Sequence, residues 1–222
     1  MSSPQDIAVA ALAYSTKNKA NFITERSQEL FDQIMRSMRR LYLFSTRINP
    51  EFFGTSEAIA FSAGGWSRPT SSLAIWRIEN PGTDEVIVVP RSQLKADEGR
   101  PAVYRLGQRY FSAGNTLDPV SGTLTFFYTK KPTTPSTFST AFAADWITDF
   151  DGLLIAQTAL YLARQDGRDS EAGTIQAERD EWAVEFASFL ETEQLNMVYL
   201  YGSAKNYNVP DLIKTVLDNK VA

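Results

Sequence analysis

Acid–base and nucleophilic chemistry at neutral pH most often rests on histidine or cysteine, and this 222-residue chain contains neither. Histidine is the one side chain whose unperturbed pKa lies between pH 5 and 8. Its absence removes the Ser-His-Asp triad and every His-ligated metal site. The absence of cysteine removes disulfides, thiolate nucleophiles and Cys-based zinc or iron–sulfur sites. Proton transfer would fall to a perturbed carboxylate, lysine or tyrosine.

Four constellations remain. Ser92-Gln-Leu-Lys95 has the S-x-x-K spacing in which a lysine one helical turn away serves a serine as base. The companion S-D-N and K-T-G motifs are missing, so we read it as a polar loop after a strand. Asp145, Asp149 and Asp151 are spaced carboxylates of the kind that hold Mg²⁺ or Ca²⁺. The glycine and glutamate of an EF-hand loop are missing, and acids at a helix start stabilise the positive end of its dipole. Glu178, Asp180, Glu181 and Glu185, with Arg179 among them, offer paired acids but read as a solvated helix face. Arg36, Arg39 and Arg40 cluster late in a long helix, followed by Arg47. They would favour the helix C-terminal dipole, pair with acids on a neighbouring subunit, or line a lumen that passes DNA. No G-x-x-x-x-G-K-[ST] or G-x-G-x-x-G loop is present. We expect no catalytic residue, no cofactor and no bound metal: a protein that is not an enzyme.

The elements that would carry these residues follow from periodicity. Hydrophobic residues make up 43% of the chain and charged residues 22%, which suits a folded domain with a substantial core. The net charge of −4 argues against a general nucleic-acid binder but leaves room for a local basic patch. The opening MSSPQDIAVAALAY has no basic run before its short apolar stretch, and no apolar stretch approaches 18 residues. We therefore expect no leader peptide and no membrane contact.

A short helix is predicted from Gln5 to Tyr14, and a second from Thr24, as N-cap, to Phe44. The second carries Leu30, Ile34, Met38 and Leu41 on one face, and Asn49-Pro50 ends the region. Strands are predicted at Leu73–Glu79, Glu85–Val89, Ala102–Leu106, Arg109–Ser112 and Thr123–Thr129, with the first buried on both faces. Gly64-Gly65, Asn80-Pro81-Gly82, Gly99-Arg100-Pro101 and Gly114-Asn115 punctuate them. Trp66 and Trp76 read as core residues of this part. A proline-broken linker spans Thr129 to Ser139. A wide apolar helix follows from Gly152 to Gln165, broken by Asp166-Gly167-Arg168-Asp169 with Ser170 as the next N-cap. The last helix runs to about Leu195 with Ile175, Trp182, Phe186 and Phe189 on its buried face, giving an antiparallel αα-hairpin.

The fold class is thus α+β: a helical bundle built from residues 1–49 and 140–200, with a small antiparallel sandwich- or barrel-like β domain inserted at 50–139. Residues 201–222 form an extended tail, in which Asp211 to Leu217 has the pattern of one or two helical turns. Tyr199, Tyr201, Tyr207, Leu212 and Ile213 are the candidate interface residues, docking on the chain's own core or on a neighbouring subunit.

The run Pro101-Ala-Val-Tyr-Arg-Leu-Gly-Gln-Arg-Tyr110, then Leu124-Thr-Phe-Phe-Tyr-Thr129, Asp145-Trp-Ile and the Leu153–Ala163 helix with its terminal Tyr-Leu-Ala-Arg, resembles the head–tail adaptor, or connector, proteins of tailed bacteriophages. The resemblance covers most of the chain in element order and rests on no chemical motif. It implies a virion neck protein assembled in the host cytoplasm and bound below the portal ring. It also implies a ring, commonly of twelve subunits, whose lumen passes genomic DNA with only transient, non-specific contact. The tail from about Gly202 would then touch the portal protein, and the β domain would face other subunits, the tail or further neck proteins. A stopper, a tail terminator or a tail-tube accessory protein has a similar element order. A carbohydrate-binding or hydrolytic module with paired carboxylates, and a scaffold or regulatory domain, are the readings outside the virion.

Overall fold

The structure is a computed structural model that describes residues 2–14, 19–80, 86–89, 102–112, 122–143, 146–201 and 208–218, without the side chains of 19–21 and 194–201. It is a mixed α/β chain that divides into two compact units. One is helical, residues 1–52 and 132–222; the other is the β unit, 53–131. The stretch 132–139 therefore belongs with the helices, not with the β domain where proline content had placed it. Gln5 N–H donates to the Phe138 carbonyl at 3.0 Å and Phe142 N–H to Ser2 at 2.9 Å, which ties this stretch to the chain start.

Helix α1 spans Pro4–Ala11, and Leu12–Tyr14 continue it as a 3₁₀ turn. Its start is fixed by a reciprocal capping box of Ser3 and Asp6, with Pro4 at a position where its missing N–H costs nothing. Helix α2 spans Lys19–Ile48, longer at both ends than periodicity suggested, with non-helical torsions at Arg26 (φ −120°, ψ 20°) marking a kink. Thr24 is therefore inside the helix, not at its cap. Leu30, Ile34, Met38 and Leu41 are all buried, as expected, and Tyr42, Phe44 and Ile48 widen the stripe.

Helix α3 spans Asp151–Gln165 and α4 spans Asp169–Tyr201. Gly167 adopts φ 67°, the left-handed terminator the sequence called for. Helix α4 begins at Asp169, so Ser170 is a first-turn residue rather than the cap. The two helices run antiparallel: Gln157 meets Arg179 and, nearer the turn, Arg164 meets Gln176. Gly152 lies so close to the Trp182 ring that an added Cβ would come within 2.4 Å of it. Phe150 packs against Phe186 and Phe189 at ring centroid distances of 4.8 and 5.2 Å. Helix α5, Val209–Leu212, runs into a π-helical turn, Ile213–Leu217, the helical turns expected within the tail at Asp211 to Leu217.

The β unit contains seven strands among the described residues: β1 Gly54–Ala60, β2 Trp66–Ser67, β3 Ser72–Glu79, β4 Ile87–Val89, β5 Ala102–Leu106, β6 Arg109–Ser112 and β7 Thr123–Lys130. They form two sheets, ordered β1-β7-β3 and β2-β6-β5-β4. Trp66, Val103 and Tyr110 of the second sheet share one core with Ile78, Leu124, Phe126 and Tyr128 of the first. Several features depart from expectation. Strand β1 has almost no apolar alternation and was not predicted; it forms by pairing along its whole length with β7. Strand β4 pairs parallel with β5, so the unit is not wholly antiparallel. Strand β3 is mostly half-buried rather than buried on both faces. Trp66 is fully buried and its indole donates to the Gly122 carbonyl at 2.9 Å. Trp76 is only half-buried, tilted against Phe127.

Candidate functional site

The charges of greatest consequence lie in the helical unit. The apolar stripe of α4 runs through Ala172, Ile175, Ala183, Phe186, Ala187 and Leu190, and Arg179 falls inside it at helical spacing. Its side chain has no exposed surface. A buried guanidinium must have its charge and its N–H groups matched. Arg179 is held by Asp218 at 2.6 Å, by its neighbour Asp180, and by the Gln157 amide oxygen at 3.3 Å. The Asp218 carboxylate is 3% exposed. Arg40 on α2 adds a hydrogen bond to the Leu217 carbonyl at 3.1 Å, and Ile213 and Leu217 are buried where the π turn packs against α2. The C-terminal segment is thereby clasped between α2 and α4. The reading of residues 178–185 as a wholly solvated face fails at Arg179. Its signal was the phase of the helix: residues 172, 175, 179, 183 and 186 share one side.

Beside this clasp, between α2 and α3, is a cleft of 410 Å³ lined by Gln33, Arg36, Arg40, Gln157, Tyr161 and Arg164 among others. Tyr161 and Gln165, both in its lining, belong to a polar network. Arg26 pairs with Glu29, the Tyr161 hydroxyl donates to Glu29 at 2.7 Å, and Gln165 joins both Arg26 and Tyr161. The Arg26 guanidinium, with help from Tyr161, holds the Glu29 carboxyl down at about 2. Burial, and then the bond to Glu29, raises the Tyr161 phenol.

On the other side of the C-terminal segment is an open groove of 710 Å³ with an apolar floor of Ala177, Val184, Pro210 and Ile213. Asp180, Glu181, Glu185 and Asp218 edge it, with Lys214. Glu178 accepts from the Tyr14 hydroxyl at 2.6 Å, and that bond pushes the phenol up to about 12.

Of the candidate residues named from sequence, Arg36 and Arg40 share the cleft, whereas Arg39 is exposed and not among its lining residues. Leu212 is half-buried and Ile213 is buried in the chain's own helical unit. Tyr199 and Tyr201 lie on the last turns of α4, where only the backbone is described; Tyr207, Ser92, Lys95 and Asp145 lie outside the described residues. Asp151 accepts from the Trp146 indole at 2.7 Å and Asp149 is exposed in a 3₁₀ turn before α3. Among the described residues no group of three acids is placed to hold a metal ion, and no helix is long and apolar enough to cross a membrane.

Neither a protein-family model nor a curated protein matches the chain.

Proposed function

We propose that this protein is a structural component of a tailed-phage virion, a head–tail adaptor that forms a ring between portal and tail. In this reading its lumen passes DNA, and a bundle of N- and C-terminal helices carries the inserted β unit. The observation that supports the reading is where the ionisable groups go. Catalytic acids and bases are tuned toward neutral pH. Here the largest displacements run the other way: Glu29 is held at about 2, first by Arg26 on its own helix and then by Tyr161 of α3, and Tyr14 is pushed to about 12 by its bond to Glu178 of α4. Arg179 is likewise engaged in holding the C-terminal segment. Charges used in this way make a rigid scaffold whose business is contact.

Cryo-electron microscopy of particles containing the chain, reconstructed with symmetry left free, tests this. The expected result is a ring of copies between portal and tail. A position along the tail tube or at the tail terminus would replace the adaptor reading with a tail accessory or terminator. Absence of the chain from every particle would overturn the virion reading and turn attention to a carbohydrate-binding or hydrolytic module at the acid-edged groove.

A further inference from the structure

The 410 Å³ cleft between α2 and α3 has an unbalanced lining. Arg36, Arg40 and Arg164 contribute three guanidiniums, and among the described residues no carboxylate lines it. Glu29, bonded to the lining residue Tyr161, is already matched by Arg26 and by that hydroxyl. Asp218, beyond the clasp, is matched by Arg179. The three guanidiniums are also under-used as donors. Arg40 donates to the Leu217 carbonyl and Arg164 to the Gln176 amide oxygen. Arg36 has no hydrogen bond or ion pair among the described residues. Each guanidinium carries five N–H groups in a planar fork, so most of this donor capacity faces the cleft or solvent.

Two glutamines extend the pattern inward. Gln33 is 8% exposed, and its side-chain amide has no partner among the described residues. Gln157, equally buried, gives its amide oxygen to Arg179, which leaves its NH₂ group as a donor on the cleft wall. Both amides keep some solvent access rather than being sealed without a partner, so each is open to a ligand or a water in the cleft. The cleft therefore presents cations at its rim and neutral donors in its depth. A single carboxylate would leave two of the three cations unmatched. A multivalent tetrahedral oxyanion matches both the charge and the forked geometry, because paired guanidinium N–H groups bind two phosphate oxygens at once.

We propose that this cleft is an oxyanion-binding site for a phosphoryl group, gripped by Arg36, Arg40 and Arg164 with Gln33 and Gln157 at its base. The group comes either from free phosphate or from a nucleic-acid backbone. The inference stands apart from the adaptor reading, since it uses only the lining of one cleft. The net charge of −4 repels polyanions at long range, so binding of a nucleic acid would come from this cleft and would show the salt dependence of few phosphate contacts.

Isothermal titration of the full chain with inorganic phosphate, with pyrophosphate and with a short single-stranded oligonucleotide tests it, alongside R36Q/R164Q and the control R39Q. All three substituted arginines are exposed, and thermal melting of each variant confirms that it folds. The expected result is saturable binding that weakens at least tenfold in R36Q/R164Q and stays within twofold in R39Q. Binding of the small phosphates alone supports the site with free phosphate as its source. Binding of the oligonucleotide alone, with the same loss in R36Q/R164Q, supports it with the backbone as source. Absence of binding by all three probes overturns the proposal. Equal loss in R39Q overturns it too, since the effect would then be general surface charge. So does phosphate-independent self-association that R36Q/R164Q abolishes, because the occupant would then be a carboxylate of a second copy.

Discussion

The Arg179 guanidinium and the Asp218 carboxylate meet at 2.6 Å across 39 residues of chain, with the arginine fully buried and the carboxylate 3% exposed. The pair joins the middle of α4 to the end of the C-terminal segment. Removing one partner from a buried pair leaves an unmatched charge in a place water cannot reach, a loss of about 3 kcal/mol. Asp218→Ala should lower unfolding stability by about that amount in urea melts followed by the helical circular-dichroism signal. Replacing both residues, as R179M/D218L, should cost less than the single change. A D218A protein as stable as the parent would show that Asp180 and Gln157 suffice to hold Arg179.

Glu29 gives the fold an acid-sensitive contact. Its folded-state value of about 2 lies below its ordinary value of 4.5, because Arg26 and Tyr161 favour the carboxylate. The stabilisation is therefore present above about pH 4.5 and is lost as pH falls toward 2. The side chain is 37% exposed, so solvent and salt trim the effect. Thermal melts across this range should show a shallower acid limb for Glu29→Gln than for the parent. Identical limbs would mean that the pairing contributes nothing to stability.

The close approach of α3 and α4 depends on the missing side chain at Gly152. A methyl group there would come within 2.4 Å of the Trp182 ring, which has to move or push the helices apart. Overpacking of this kind costs about 2 kcal/mol. Gly152→Ala should lower the melting temperature of the helical unit and alter Trp182 fluorescence. An unchanged spectrum with unchanged stability would contradict the packing described.

The β1–β2 turn offers a gain. Ala63 and Gly64 have φ of 47° and 83°, and Ser62 and Gly65 exchange backbone hydrogen bonds at 2.9 and 3.1 Å, the pattern of a type I′ turn. Alanine in the left-handed region is strained, whereas asparagine tolerates it. Ala63→Asn should stabilise the β unit by about 1 kcal/mol, read from the unfolding midpoint. A loss of stability would mean that the turn is held by something other than its backbone torsions.

The sequence by itself determined the succession of α1 to α4 and of β3 to β7, the buried stripe of α2 from Leu30 to Leu41, the bounds of β5 and β6, and the break at Gly167. These are local properties: periodicity, turn chemistry and the torsions a glycine allows. Tertiary structure decided what those faces meet. The polar stretch Gly54–Ala60 became a strand because β7 offered it a ladder, and β4 ran parallel to β5 although nothing in its three residues encodes direction. Arg36 and Arg40 had been grouped with Arg39 because they are neighbours in sequence; the fold instead joins them to Arg164, from another helix. Arg179 looked like one charge among many until Asp218 arrived beside it from the far end of the chain. A periodic pattern names the residues on a face, but burial and pairing depend on contacts between residues distant in sequence, and those arise only when the chain closes on itself.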